Sequence, residues 1–288
     1  MPDVLTVAIS PCPNDVVIFG AWILGLVGLP DTRAAFAFED VETLNEAALA
    51  GAYDVVKVSA AMAAPLAETY DVLPAGAAFG FGAGPKLVVA KDFAGNPRTV
   101  AVPGLRTTAA TLLRAALAEG HGRADLPPPD AAFLPVRYDA IVEAVHRGQA
   151  QAGLLIHETA LAAAGHGLRL LLDLGAWWQG RLPASPVPLG VILAKKSLGP
   201  ARIAALGEVL RASLAAAREK PGEVAPLAKL LAREKDQAVI EAHIAAYVGD
   251  LSVDMGETGR LALAQLEKLA RGGRFPAAPP LPARDVSC

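Results

Sequence analysis

The sequence predicts an α/β protein whose sheets are mixed but mostly parallel and are flanked by helices. Through the first two thirds of the chain, short apolar segments typical of buried strands alternate with helical segments. This is the pattern of parallel strands joined by crossover helices. From residue 200 to about residue 271 nearly the whole pattern is helical. The chain has 288 residues, of which 53% are hydrophobic, so it can bury a large core and is not a disordered chain.

Seven segments are predicted to be strands, because each is short and apolar, as expected of a strand covered on both faces. They are residues 5–9, 53–58, 86–90, 99–102, 152–156, 168–173 and 187–194. Helices are predicted from about 15 to 25 and from 108 to 119, where Leu112, Leu113 and Leu117 share one side. Breaks between the helices of the last third are predicted near residues 221–222, 235–236 and 249–256.

Charge and hydropathy exclude several classes of function. The net charge is −3 and no stripe of Lys and Arg stands out, so we expect no nucleic-acid partner. The longest apolar run, residues 16–29, is interrupted by glycines and is shorter than the ~20 residues of a spanning helix, so we expect no membrane association. The N-terminal residues lack the basic segment of a signal peptide, and the two cysteines form no disulfide framework. We therefore predict a cytoplasmic protein.

Motifs for nucleotides and metals are not found in the sequence. It has no GxxxxGK[ST] loop, no GxSxG elbow and no HExxH pair. The glycine-rich segment 80–85 precedes a predicted strand instead of following one, so it does not fit a dinucleotide-binding turn. Cysteines and histidines are too sparse and scattered for structural zinc. We expect neither a cofactor nor a metal.

Polar segments follow four of the predicted strands at their carboxyl ends, where ligands bind in open α/β sheets. Each segment also opens a helix, and the free N–H groups of a helix N-terminus hold carboxylates and phosphates. The segments are residues 10–15, 57–59, 103–108 and 157–159. We therefore predict a small, oxygen-rich, anionic ligand, with Ser10 and Asn14 among its contacts.

These junctions also have purely structural interpretations. Asn14 or Asp15 could cap the first helix, and Ser59 and Thr107 could cap the helices that follow them. The two prolines beside Cys12 fix two φ angles and stiffen the loop, which a preorganised site requires. For Cys12 itself we favour the role of a small buried residue.

His157 is the sharpest candidate for catalysis. Of the five histidines, it is the one that directly follows a predicted strand, after Gly-Leu-Leu-Ile. Imidazole titrates near neutral pH, so a partly buried ring beside an anionic ligand can act as a general base or acid. The alternative is a histidine whose hydrogen bonds are satisfied in the core. Glu158 either orients the ring or begins the next helix.

Eight segments of the chain resemble the 1,4-dihydroxy-6-naphthoate synthase family of the futalosine route to menaquinone. The resemblance covers almost the whole chain, and its most specific parts are SPCPND and the histidine after Leu-Leu-Ile. The segments are SPCPND (10–15), VKVS (56–59), GPKLV (84–88), VPGxxTTA (102–109), LLIHE (154–158), DLGAWW (173–178), PLG (188–190) and YVGDLSVDMGETG (247–259).

The resemblance implies a two-domain fold like that of the type II periplasmic binding proteins, with the substrate in the cleft between the domains. The larger domain would combine residues 1–95 and 196–288, and residues 96–195 would form a smaller inserted domain. Residues 272–288 are predicted to be a surface tail. Hinges for closure on ligand are expected near residues 90–99 and 193–197.

The same resemblance implies an activity. The family converts cyclic dehypoxanthine futalosine to 1,4-dihydroxy-6-naphthoate and dihydroxyacetone, which is a carbon–carbon lyase reaction without a redox cofactor. Its proton-accepting histidine falls on His157. Its substrate contacts fall on Lys57, Val58, Ser59, Thr107 and Thr108.

The chain departs from the family pattern at two places that we expect to line the cleft. Val16 and Val17 follow SPCPND where the family usually has Thr-Phe, and Phe81 and Ala83 stand where bulkier aromatic residues are expected. These departures bear on how the substrate fits, and neither removes a proposed catalytic group.

Two other functions fit the same fold. One is a binding protein for a small acid, although receptors of this class normally carry a secretion signal or lipid anchor. The other is a chorismate dehydratase of the same pathway, for which we would not expect SPCPND or a histidine at this strand end. A homodimer is compatible with the flat faces of the Ala-rich helices, and no residue decides the oligomeric state.

Overall fold

The structure is a computed structural model, and it describes residues 3–120, 123–231 and 236–272. Strands and helices are interspersed along the chain until β11, with β4 to β7 following one another without an α-helix between them, and every described element after β11 is helical. The strands are β1 (Asp3–Ile9), β2 (Thr32–Phe38), β3 (Val55–Ser59), β4 (Tyr70–Val72), β5 (Ala78–Gly80), β6 (Lys86–Ala90), β7 (Thr99–Val102), β8 (Ala132–Pro135), β9 (Ala152–Leu155), β10 (Leu168–Asp173) and β11 (Val187–Lys195). The helices are α1 (Pro13–Ile23), α2 (Val41–Leu49), α3 (Thr108–Ala118), α4 (Ile141–His146), α5 (His157–Leu161), α6 (Leu174–Arg181), α7 (Pro200–Glu219), α8 (Pro221–Leu231), α9 (Gln237–Tyr247), α10 (Asp250–Val253) and α11 (Gly256–Ala270).

The first sheet has the strand order β2-β1-β3-β11-β4, and β5 also pairs with β11. β1 runs parallel to both β2 and β3, whereas β11 is antiparallel to its neighbours. Because β1 and β3 are parallel neighbours, the polar segments that follow them emerge side by side at one edge of the sheet.

The second sheet has the order β10-β6-β9-β7-β8. β7 is parallel to β8 and β9, and β6 is antiparallel to β9 and β10. The parallel pair β7 and β9 brings together the segments that begin α3 and α5. Two mixed sheets flanked by helices confirm the predicted α/β fold class, although five of the nine strand pairings are antiparallel.

The chain passes between the two sheets twice. It leaves the first sheet after β5 and enters the second at β6, and it returns after β10, through α6, to β11. β6 is therefore a strand of the second sheet, and β11 is a strand of the first sheet. The domain boundaries at 95/96 and 195/196 and the two hinges stay predictions, and residues 273–288 of the predicted tail lie outside the described residues.

Three predicted strands match β6, β7 and β10 in both of their bounds. The sequence patterns did not predict β2, β4, β5 or β8. β4 and β5 have three residues each, and β2 and β8 are partly exposed edge strands. Such strands are specified mainly by their neighbours in the sheet, which local patterns do not record.

One apolar core connects the two sheets. It includes residues of both sheets, such as Val56 and Val100, and the fully buried Trp177 and Trp178 of α6. A second cluster packs α1 and α7 against the first sheet, so the predicted buried helix after β1 is confirmed. Within the described ranges, no helix is both long enough and apolar enough to cross a membrane.

Candidate active site

All eight predicted site residues border one cavity between the two sheets. The space within it is about 700 Å³, counting the part that is open to solvent. The residues brought together are Ser10, Asn14, Lys57, Val58, Ser59, Thr107, Thr108 and His157.

The SPCPND loop holds its own side chains in a buried network. The Ser10 hydroxyl donates to Oδ2 of Asp15 at 2.7 Å, and the Cys12 thiol donates to Oδ1 of Asn14 at 2.7 Å. α1 begins at Pro13 with Cys12 as its N-cap residue, and no side chain caps it. The interpretation of Asn14 or Asp15 as the helix cap is therefore wrong, because Pro13 starts the helix earlier and both side chains lie inside it.

Cys12 is a buried hydrogen-bond donor. Burial, reinforced by the negative charge of Asp15, raises the pKa of its thiol well above the usual value. A thiol that stays protonated is a poor nucleophile. Its role is to hold the amide of Asn14 in place at the wall of the cavity.

Asp15 forms a buried ion pair with Lys57, which sequence reasoning did not foresee. Lys57 Nζ lies 3.1 Å from Oδ1 of Asp15 and donates to the Gly76 carbonyl at 2.9 Å. Burial alone would raise the pKa of Asp15, but Lys57 and the Ser10 hydroxyl together hold it below its usual value. The lysine thus reaches the cavity with its charge balanced.

Gly190 of β11 leaves the space through which the lysine side chain passes. A Cβ at this position would lie 2.9 Å from Cε of Lys57. The PLG segment is therefore explained by close packing against the neighbouring strand.

Ser59, at the carboxyl end of β3, is held by a second residue that the sequence did not reveal. Asn45 of α2 is fully buried. It accepts the Ser59 N–H through Oδ1 at 2.9 Å and donates from Nδ2 to the Ser59 hydroxyl at 3.2 Å. The Ser59 side chain makes no capping hydrogen bond to the helical turn that follows, so its interpretation as a helix cap is wrong.

Thr107 and Thr108 open α3 and have different partners. Thr107 caps the helix, accepting from Ala110 N at 3.2 Å, which confirms its capping role. The Thr108 hydroxyl donates to the Leu189 carbonyl of β11 and accepts from the Ala61 N–H, each at 3.1 Å. Thr108 therefore links α3, which follows β7 of the second sheet, to β11 of the first sheet and to the helical turn after β3.

The loop before Thr107 makes a close approach to α2. Gly104 has φ +155°, and a Cβ there would lie 2.4 Å from Cδ of Glu42. The Glu42 carboxylate accepts the Arg106 N–H at 3.1 Å. Glycine at 104 is required both by the backbone angle and by this contact.

His157 follows β9 in a strained backbone conformation. Its φ is +52°, in the left-handed region that costs a residue with a Cβ about 1–2 kcal/mol. The ring borders the cavity and is partly exposed, with Tyr138 packed edge-on at a centroid distance of 5.0 Å. Desolvation lowers the pKa of His157 to about 4, partly opposed by the negative charge of Glu158.

Glu158, His243 and Tyr247 complete the wall behind this ring, and the sequence patterns did not assign the last two to the site. His243 and Tyr247 come from α9 (Gln237–Tyr247), far along the chain from His157. Their spacing of four residues puts both on one helix face, which was the signal available in the sequence. Burial, with the charges of Asp173 and Glu158, raises the pKa of Tyr247 to about 12.

Glu158 and His243 are both buried and face each other, with His243 Nδ1 3.4 Å from Oε2 of Glu158. Polar atoms of His157, Glu158 and His243 lie within 4.8 Å of one another. This spacing allows direct polar contacts among the three, or a shared cation.

A family model described as menaquinone biosynthesis matches residues 5–272 of this chain. The chain belongs to the menaquinone biosynthesis family. It is 41% identical to a 1,4-dihydroxy-6-naphthoate synthase of Thermus thermophilus over 285 residues, which cover 97% of this chain and 99% of the relative. The resemblance seen in the sequence motifs is thereby confirmed, and the chain is an enzyme of menaquinone biosynthesis.

Solved structures agree with this assignment. A protein from Archaeoglobus fulgidus is 32% identical with a TM-score of 0.82, covering 93% of this chain and 97% of that one. A Candida albicans protein described as having the generic periplasmic binding protein fold matches with a TM-score of 0.68 at 13% identity, over 94% of this chain and 91% of that one. The second likeness concerns the fold alone, and it confirms the predicted periplasmic-binding-protein-like architecture.

The places where the chain departs from the family pattern do not border the cavity, contrary to expectation. Val16 is fully buried in α1, and the Phe81 side chain is 61% exposed. Gly84 and Pro85, which follow Ala83, border the cavity instead. The course of the chain explains both positions. Val16 lies on a buried face of α1, and residues 81–83 form an outward-facing turn before β6.

Proposed function

We propose that this enzyme is a lyase that converts cyclic dehypoxanthine futalosine to 1,4-dihydroxy-6-naphthoate and dihydroxyacetone, with His157 as the general base. The observation that carries the proposal is the position of His157. Its ring projects from the carboxyl end of β9 into a cavity bordered by all the predicted substrate contacts. The name of the Thermus thermophilus relative supports the choice of product.

The protonation state of His157 suits a base. Because desolvation lowers the pKa of His157 to about 4, the ring is neutral at neutral pH and can accept a proton. A positioned general base contributes typically about 10²–10⁴-fold to the rate. We propose that removal of a substrate C–H proton is followed by cleavage of a carbon–carbon bond, and that aromatisation of the remaining ring favours product.

The surrounding groups are suited to an anionic, oxygen-rich substrate. The N-termini of α1 and α3 meet at the cavity, at Asn14 and at Thr107 and Thr108, and the N–H groups of helix N-termini favour anions. The Ser59 hydroxyl is fixed by Asn45, so it does not need to be ordered when substrate binds. We propose these groups as the substrate contacts, with Ser10, Lys57 and Val58.

The proposed reaction needs no redox cofactor and would take place in the cytoplasm. Closure of the two sheets around the substrate would exclude water and orient the reacting groups. Small-angle scattering with and without 1,4-dihydroxy-6-naphthoate tests closure, and an unchanged radius of gyration would count against it.

The decisive experiment is product formation from cyclic dehypoxanthine futalosine by the purified protein, beside the His157→Gln variant. We expect the wild type to form the naphthoate without added cofactor and the variant to lose that activity while binding substrate. Conversion of chorismate instead would favour the dehydratase. A wild type that converts neither compound but whose melting temperature rises with the futalosine would favour a binding protein.

A further inference from the structure

The His157 ring contacts two other rings. Tyr138 packs edge-on at a centroid distance of 5.0 Å, and His243 lies at 5.8 Å, tilted by 44°. Tyr247 in turn packs edge-on against His243 at 5.1 Å. A base in a left-handed backbone conformation therefore has its orientation set by aromatic contacts that come from other elements.

His243 is the least expected member of this group. It is completely buried, and neither of its ring nitrogens has a hydrogen-bond partner within the described residues. Oε2 of Glu158 is also buried without a hydrogen bond, and it lies 3.4 Å from His243 Nδ1. Buried polar groups in native proteins are nearly always hydrogen-bonded. Catalytic hydrogen bonds are often long in enzymes without substrate and tighten when the substrate complex forms, and the contact between Glu158 and His243 has this character.

The charges around His157 identify what Glu158 can do. Asp15 and Lys57 neutralise each other through their ion pair. Glu158 is the buried carboxylate next to the ring, and it is not matched by a lysine or arginine in the ion pairs of the described residues. Burial alone would raise the pKa of Glu158, but His243 and His157 together hold it below its usual value, so the carboxylate stays ionised.

We propose that Glu158 and His243 are positioning residues for His157, with His243 Nδ1–H donating to Glu158 and the Glu158 carboxylate balancing the charge of the His157 imidazolium. The proposal rests on the proposed function of His157 as a base. When a substrate C–H bond breaks, its proton forms an N–H bond on His157, and the electron pair left on the substrate expels the three-carbon fragment as a carbanion. The imidazolium then returns the proton to that fragment, and Glu158 takes up no proton at any step.

Kinetics of matched variants test the pair. Glu158→Gln keeps the side-chain volume, and His243→Phe keeps a flat ring of somewhat larger size. Each is expected to lower kcat about 10- to 100-fold, the range seen for partners that orient metal-ligating side chains, with little change in KM. His243→Asn retains an N–H near the position of Nδ1 and should restore part of the loss. The Glu158→Gln/His243→Phe double variant should be no worse than the poorer single variant, because the two residues act as a unit.

Glu241→Gln and His146→Asn are the matched controls. Both residues are exposed, Glu241 on α9 beside Gln237 and His146 on α4, and both variants should retain wild-type kinetics. A rise in KM without a loss of kcat, or losses that multiply in the double variant, would overturn the proposal.

A second measurement does not depend on activity. Long-range ¹H–¹⁵N correlation of the imidazole rings in the wild type, with the His243 signals assigned by their loss in His243→Asn, is expected to show a proton on Nδ1 of His243. An unprotonated Nδ1 would overturn the proposal, and so would one divalent cation per chain in the purified protein by elemental analysis. If the wild type fails to convert the futalosine, the function proposed for His157 is refuted, while the ring spectrum still tests the pair.

Discussion

The left-handed backbone of His157 makes two substitutions at this position informative as a pair. His157→Ala and His157→Gly both remove the ring, so both should abolish lyase activity, and they differ in the Cβ atom. At φ +52° a Cβ costs about 1–2 kcal/mol, whereas glycine loses about 0.4–1 kcal/mol through the greater freedom of the unfolded chain. The glycine variant should therefore be more stable than the alanine variant by about 1 kcal/mol.

Urea unfolding followed by circular dichroism measures this difference, and comparison of midpoints at a shared slope avoids most of the extrapolation error. In thermal melts the difference corresponds to about 2 °C for a chain of this size. Ala160→Gly, in the same helix but in a buried right-handed position, is the control and should destabilise by about 1 kcal/mol. An alanine variant as stable as the glycine variant would refute the inference that the site stores backbone strain.

Three further predictions concern the groups around the base. Lys57→Met should destabilise the protein by about 3–5 kcal/mol because it leaves Asp15 buried and unpaired. Adding Asp15→Asn should recover most of the lost free energy of unfolding, measured in urea, and a further loss would contradict the ion-pair argument. The kcat/KM of the lyase should fall as the pH is lowered, with a midpoint near pH 4, because the neutral ring is the base and desolvation lowers the pKa of His157 to about 4. A midpoint at the ordinary value of 6.5 would contradict the burial argument. Cys12→Ser should retain activity within about threefold, since a thiol that stays protonated is not a nucleophile and serine keeps a donor to Asn14; loss of activity in a folded variant would contradict this.

The order of the main strands and helices could be predicted from the sequence because each carries its own local pattern. Continuous apolar runs predicted β6, β7 and β10 with their bounds, and Pro221 and Gly249 marked breaks between helices. Edge strands such as β2 were not predicted, because their hydrogen bonds and packing come from a neighbour elsewhere in the chain.

The candidate site, like the fold, could be predicted in part from the sequence. Polar residues at strand ends stand out in an apolar chain, and the geometry of parallel neighbours brings their carboxyl ends to one edge. Ser10, Ser59, Thr107 and His157 could be found in this way, and the structure brings them to one cavity. Their functional roles are tested by the experiments above.

The sequence by itself determined the fold class, the family and the residues that follow the strands, because strand and helix patterns and motif spacing are local properties. Only the tertiary structure decided which distant groups meet at the cavity. Asn45 fixes Ser59 across 14 positions, Asp15 of α1 pairs with Lys57 of β3, and α9 brings His243 to Glu158. Such contacts arise when sheets and helices bury their apolar faces together, and no local pattern in the chain records which polar side chains are buried with them.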